Sequence, residues 1–224
     1  MKVLIAGFEP FKKYKSNPAH RIALELHNTK ISGAKIVGLS LPVSFKSLPA
    51  TFAEAILLER PDILITLGLA FKGLDHFSIE TVARRGIKPT FRDKFGKFPA
   101  FRQGVFYVVP RNRGPKLRVP TLPVQEIKKA LEEGGFPVTF SKNAGGHMCE
   151  QALYLGAHLL PQVNPNGMSC HIHLPHDEKS AADVGSSEKM PYGKIREAVK
   201  LVIRVAIRAA RRKGLKAQSV SQHA

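Results

Sequence analysis

Two hydrophobic rhythms alternate along the chain. Short runs of consecutive apolar residues, closed by Gly, Pro or a charge, alternate with stretches of helical spacing. Val3 to Ala6, closed by Gly7, reads as a buried strand opening a sheet. Asn17-Pro18 is an N-cap with proline at the first helical position, and Ile22, Leu24 and Leu26 suggest a short helix behind it. Lys35 to Leu39 reads as a second strand. Ser44 is expected to cap a helix through Phe52, Ala55, Ile56 and Leu58 to Arg60. Pro61-Asp62 breaks it, and Ile63 to Leu67 is a third strand. Further on, Pro123 to Glu133 is helical up to Gly134-Gly135, and Val138 to Phe140 is a strand. A turn at Asn143 to Gly146 precedes a helix from about Met148 to Leu160, and Met168 to Leu174 is another strand. The last helix spans Pro191 to Lys213, with Ile195, Val199, Val202, Ala206 and Ala209 on its apolar stripe. Such alternation predicts a largely parallel α/β sheet.

Residues 84–118 break the pattern. Eleven Lys and Arg face one acid, Asp93, and Phe91, Phe95, Phe98, Phe101, Phe106 and Tyr107 are interleaved. The stretch reads as a long excursion with one hairpin, its aromatics packed inward. The tail after Gly214 is polar and is expected to fray.

Composition adds bounds. The 224 residues are 43% hydrophobic, which suits one globular domain and excludes a disordered chain. The net charge of +18 implies general attraction to polyanions rather than a fold. The interleaved Arg and Phe of 84–118, with Arg196, Lys200, Arg204, Arg208 and Arg212 recurring on one face of the last helix, make a groove for single-stranded nucleic acid one hypothesis. No RNP, KH or helix-turn-helix signature accompanies the charge, and nucleic acid is not the expected partner. Two cysteines, Cys149 and Cys170, are too few for a disulfide scaffold, although the two could pair under oxidation if they met in space. No run reaches a membrane span and no secretory leader is legible, so a cytoplasmic protein without membrane partners is expected. Dinucleotide and P-loop patterns are absent.

Candidate chemistry gathers late in the chain. Cys149 follows Asn143-Ala144-Gly145-Gly146 and opens a predicted helix, where the macrodipole favours thiolate and backbone N–H groups can hold an oxyanion. The bland alternative is a buried small hydrophobe. His173 ends the strand Cys170-His171-Ile172-His173-Leu174, which points His171 and His173 to one face and Cys170 to the other. A strand-end His near a thiol is the base that a cysteine nucleophile needs. Glu80, in the alternating run Phe77 to Ala83, is either a surface acid balancing Arg84 and Arg85 or the carboxylate that orients a catalytic His. His171, His173 and His176, followed by Asp177, also make an H-x-H-x-x-H cluster that could hold zinc.

Several segments together carry a resemblance. Met1 to Phe11, MKVLIAGFEPF, resembles the opening of the pyroglutamyl peptidase I (pyrrolidone-carboxylate peptidase) family of cysteine peptidases. Asn17-Pro18, Leu41-Pro42-Val43-Ser44-Phe45 and Leu67-Gly68 follow in the family's order. Ser141 to Cys149 resembles its S-x-x-A-G-x-[YF]-x-C signature, Tyr154 matches a Tyr five residues on, and Ile172-His173-Leu174-Pro175 resembles I-H-[VL]-P. The match is collinear over roughly residues 1–210.

The resemblance implies a single-domain, three-layer α/β/α sandwich with a mixed, mostly parallel sheet, of the phosphorylase/hydrolase-like kind, over residues 1–213, with 214–224 as a tail. It implies a homo-oligomer, tetramer or dimer. It implies hydrolysis of an N-terminal pyroglutamyl residue from peptides, with Cys149 as nucleophile, His173 as base and acid, and Glu80 orienting the imidazole. Phe8, Phe11, Asn17 and Leu69 would bind the lactam, with no metal and no cofactor. The chain departs from the family at several places. Lys12-Lys13 replace two glycines, Gly68 to Gly73 differs from G-Q-A-G-G-R, Thr81 stands for an Arg, and Glu150 follows the Cys in place of Asn. Thr90 stands where the family has an Arg near the oxyanion, with Arg85 and Arg92 as the nearest substitutes. Two alternatives therefore stand beside the peptidase. One is a related cysteine hydrolase of altered N-acyl or cyclic-imide specificity; the other is a low-activity homologue that binds an anionic partner through its basic surface.

Overall fold

Apolar alternation on both faces of a central sheet sets the architecture. A computed structural model of the chain describes residues 1–70, 75–87, 92–98, 106–107 and 114–221. Its long strands are β1 (Lys2–Phe8), β3 (Ala34–Leu41), β4 (Ile63–Leu69) and β11 (Met168–Leu174), with β2 (Lys30–Ile31), β5 (Phe77–Glu80) and β10 (Val138–Ser141) completing a seven-stranded sheet. Its order is β10-β5-β11-β4-β1-β3-β2. Every pairing in it is parallel except β11 with β5 and β3 with β2.

Helices cover both faces. α1 (Pro18–Glu25), α3 (Val124–Glu133) and α6 (Tyr192–Ser221) pack against Val3, Ile5, Ile65, Ile79 and Ile172. α2 (Leu48–Glu59) and α4 (Met148–Val163) pack against Leu4, Ala6, Val37 and Leu64 on the opposite face. α5 (Glu178–Ala182) is a short extra turn after β11. This is the expected three-layer sandwich. The alternation within β11 puts Cys170, Ile172 and Leu174 in the α1/α3/α6 layer and leaves His171 and His173 facing the other way.

Several local expectations change. Ser47, not Ser44, stands at the N-cap of α2; Ser44 instead supports the turn before it, accepting from Ser47 N–H through Oγ and from Leu48 N–H through its carbonyl. α4 continues to Val163 with Pro161 inside its last turn, because Asn164 N–H still reaches the Leu160 carbonyl. α6 runs through Gly214 to Ser221, so the expected fraying point lies inside a helix. α5 starts at a capping box between Asp177 and Ser180. The 84–118 excursion closes at its ends through two antiparallel pairs: β6 (Ala83–Arg84) with β9 (Leu117–Arg118), and β7 (Gly86–Ile87) with β8 (Phe106–Tyr107). Two of its aromatics, Phe95 and Phe98, are exposed rather than packed inward, under Lys94 and Arg92 respectively. Phe91 and Phe101 lie outside the described residues.

α1 lies so close to the sheet that two glycines are obligatory. A Cβ at Gly7 would sit 2.0 Å from the Ala19 carbonyl oxygen, and one at Gly38 would sit 1.9 Å from that of Ala23. Neither backbone can yield without moving the helix. Gly7→Ala and Gly38→Ala should each destabilise the fold by more than the ~1–3 kcal/mol usual for overpacking, read as a drop in chemical-denaturation midpoint. Wild-type midpoints in both variants would show that α1 is not packed this closely.

Candidate active site

The candidate residues meet where β4 and β11 end beneath the start of α4. In parallel α/β sheets this carboxyl edge is where ligands bind. Thr66 and Gly68 of β4, Ser78 and Glu80 of β5, and His171 and His173 of β11 share one sheet face, because their registers place His171 beside Thr66 and Glu80, and His173 beside Gly68 and Ser78. Two glycines with positive φ, Gly145 (87°) and Gly146 (61°), turn the chain into α4 and bring Cys149 over this row.

Glu80 Oε1 lies 2.9 Å from His173 Nδ1. The Glu80 side chain is 1% exposed and that of His173 13% exposed, so this is a buried pair and not a surface acid balancing arginines. Arg84 goes instead to Glu150, and Arg85 donates to the Gly114 carbonyl. Cys149 Sγ and one ring nitrogen each of His171 and His173 lie within 4.8 Å of one another. Burial by itself would lower the His173 pKa; the charge and hydrogen bond of Cys149, followed by those of Glu80, override it and raise the value to about 10. His171 is fully buried, and burial, with the charge of neighbouring His173 adding to it, drives its pKa well below the ordinary value, so its ring stays neutral.

Gly68 closes the floor. A methyl group there would sit 2.9 Å from Cys149 Sγ and 3.0 Å from His173 Nε2. Only glycine lets the thiol and the imidazole meet above β4.

These groups border a cavity of about 480 Å³ whose apolar lining comes from Phe8, Phe11, Val43, Leu69, Ala144 and Met148, beside Glu9, Lys12, Tyr14 and Asn143. That volume is in the range of small-molecule sites, and most of the surface facing it is apolar. All four predicted pocket residues, Phe8, Phe11, Asn17 and Leu69, line it. Asn17 also caps α1, accepting from Ala19 N–H at 3.0 Å. His147 takes the aromatic place of the Ser141–Cys149 signature, stacked on Phe11 at 5.8 Å and edge-on to Phe45 at 5.1 Å. Lys12 lines the same cavity with a left-handed backbone, φ 55°, its ammonium 5.3 Å from the Phe11 ring centre. A non-glycine residue there costs on the order of 1–3 kcal/mol.

Other expectations are corrected. The H-x-H-x-x-H set does not converge: His176 Nε2 bonds the Ala70 carbonyl at 2.8 Å, and Asp177 pairs with Arg21 and caps α5. Cys149 joins His171 and His173 in its place. Cys170 is free, buried in the opposite layer with its pKa pushed up to about 12 by burial, and cannot bridge to Cys149. Glu150, which follows the Cys, does not line the cavity; it is fully buried, accepts from Arg84 N–H at 2.7 Å, and burial raises its pKa. Neither Arg85 nor Arg92 lines the cavity, and Thr90 and the 71–73 turn lie outside the described residues. On α6, Arg196, Lys200 and Arg212 pair with Glu25, Glu197 and Glu126, so the basic stripe is interrupted by acids. Among the described residues, no helix is long and apolar enough to cross a membrane.

The raised His173 pKa has a definite sign. A folded value near 10 lies above the ordinary 6.5, so the pair's stabilisation is complete below about pH 6.5 and is lost as pH rises through about 10. An NMR titration of the ring should find His173 still protonated at about pH 8, and Cys149→Ala should lower its midpoint. A wild-type midpoint near 6.5 would refute the ion pair. Gly68→Ala should leave the fold intact and abolish the selective alkylation of Cys149 at neutral pH.

Comparison with known proteins places this geometry in a lineage. The family model described as pyroglutamyl peptidase matches residues 1–209. The pyrrolidone-carboxylate peptidase of Pyrococcus furiosus is 36% identical over 211 residues, covering 92% of this chain and 98% of that protein. The one from Thermococcus kodakarensis is 31% identical, covering 96% and 100%. A solved structure of a mutant pyrrolidone carboxyl peptidase from P. furiosus superposes with a TM-score of 0.85 at 35% identity, covering 93% of this chain and 99% of that one. Family model, sequence relatives and fold agree, and the chain belongs to the pyroglutamyl peptidase family of cysteine omega-peptidases.

Proposed function

We propose that the protein removes an N-terminal pyroglutamyl residue from peptides, using Cys149, His173 and Glu80 as a triad. The observation that carries this reading is the 2.9 Å contact of Glu80 Oε1 with His173 Nδ1, which turns the other ring nitrogen toward Cys149. Glu80 fixes the tautomer and stabilises the imidazolium. The Cys149 thiolate attacks the pyroglutamyl carbonyl carbon. The oxygen becomes an oxyanion at the start of α4, where no side chain of the N-cap residue His147 competes for the first-turn N–H groups. His173 gives its proton to the leaving amine, and a thioester remains. Water, deprotonated by His173, then cleaves the thioester and releases pyroglutamate.

The lactam is neutral and small. Phe8, Phe11 and Leu69 supply an apolar wall, and Asn17 a polar group, which suits a ring that carries one amide and no charge. The relatives' names point to the same substrate. The cavity of about 480 Å³ exceeds one five-membered ring and leaves room for the peptide behind it.

The test is release of a fluorophore from a pyroglutamyl amide at neutral pH with reductant. The wild-type chain should turn over, and Cys149→Ser should lose essentially all activity. Glu80→Gln should keep the fold and lose about 10²–10⁴ in kcat, as expected when the orienting carboxylate is neutralised. A wild-type chain that leaves the pyroglutamyl amide intact, yet whose Cys149 is alkylated selectively at neutral pH, would transfer the reading to a hydrolase of different N-acyl specificity.

A further inference from the structure

His171 is not needed by a Cys–His–Glu triad, yet it is built into the same cluster. Its side chain is fully buried. Its Nδ1 is held 2.7 Å from Thr66 Oγ1, and that hydroxyl donates on to the Cys170 carbonyl. Its Nε2 is buried and has no hydrogen-bond partner. An orphaned, fully buried ring nitrogen costs free energy unless something binds it.

The neighbouring His173 has the same layout. Its Nδ1 is pinned by Glu80, and Nε2 is left for Cys149. Two imidazoles, each with one nitrogen fixed by an oxygen partner and the other turned inward, form the outer-shell arrangement that zinc-binding histidines adopt. Cys149 supplies a thiolate as the third donor. Cys149 Sγ and one nitrogen of each ring lie within 4.8 Å of one another. A tetrahedral zinc site needs ligand separations of roughly 3.3–3.6 Å, given Zn–S near 2.3 Å and Zn–N near 2.0–2.1 Å. Closing the difference takes about 1 Å, which side-chain rotation can provide. Gly68 keeps the space beneath the donors clear, since a Cβ there would fall 2.9–3.0 Å from Sγ and His173 Nε2.

We propose that Cys149, His171 and His173 form a reversible inhibitory site for zinc, with the fourth position open to water. The set of one thiolate and two imidazoles suits Zn²⁺ over Mg²⁺ or Ca²⁺, which prefer oxygen. On binding, the thiolate stays deprotonated, zinc takes the Nε2 lone pairs of His171 and His173, and the proton on His173 passes to solvent. The metal then occupies the donors that hydrolysis needs and shields the thiol from oxidation. The site depends on the placement of Cys149 and His173 but not on the substrate. Zinc binding in a chain that does not cleave pyroglutamyl amides would leave the site standing and remove only the peptidase reading.

The experiment uses the full chain, freed of metal and kept reduced. Zn²⁺ should bind one per chain, block alkylation of Cys149 and suppress turnover, with full recovery on adding chelator. Co²⁺ in its place should give a thiolate charge-transfer band, lost in Cys149→Ser, together with tetrahedral ligand-field bands. X-ray absorption of the zinc-bound wild type should count one sulfur and two imidazoles, a measurement that needs no variant. His171→Gln should weaken zinc at least as much as the roughly 10–100-fold that follows loss of an outer-shell partner. One imidazole in the absorption spectrum, or unchanged zinc affinity in a folded His171→Gln, would overturn the three-ligand site. Unchanged affinity in Cys149→Ser would place the metal elsewhere and overturn it altogether.

Discussion

Everything at the site depends on one buried ion pair. The Glu80 carboxylate is almost wholly removed from water, and it can remain there only because His173 meets it at 2.9 Å. An uncompensated carboxylate in that place would be strongly unfavourable. The pairing is set by the sheet. β5 runs antiparallel to β11 inside an otherwise mostly parallel sheet, with Glu80 opposite His171 and Ser78 opposite His173, so Glu80 reaches His173 diagonally across the same face. A one-residue slip would turn the histidines into the opposite hydrophobic layer.

Close packing serves the chemistry as much as the stability. Gly7 and Gly38 let α1 press onto the sheet, and Gly68 lets a thiol and an imidazole share the space above β4. At the cavity wall the backbone is strained at Lys12, where a residue with a side chain holds a left-handed conformation. Fold and site therefore draw on different kinds of precision. The layers need only apolar residues of about the right size. The site needs specific atoms at specific distances, carried by three strands and the start of one helix.

Much of this was legible from residues alone. The alternation of apolar runs with helical spacing placed every long strand, because two-sided burial in a parallel sheet demands continuous apolar segments. The triad candidates were legible from motif context: Asn143 to Cys149 marks a turn into a helix, and His173 ends a strand. Short elements were not. β2 and α5 are too brief to show periodicity, although the Asp177–Ser180 box was readable. The caps of α2 and the end of α6 shifted because serines and a glycine near helix ends satisfy several geometries equally well.

The sequence by itself determined the layers, the order of strand and helix, and which residue types could perform nucleophilic chemistry. Only the tertiary structure decided who meets whom. His171, His173 and His176 look like one cluster along the chain, yet His176 turns to the Ala70 carbonyl and Cys149 takes its place. Glu80 reads equally well as a surface acid or an orienting carboxylate until the antiparallel register beside β11 buries it. The physical reason is range. Periodicity and capping act within a few residues, whereas Glu80 and His173 are 93 residues apart and meet only when the sheet is assembled.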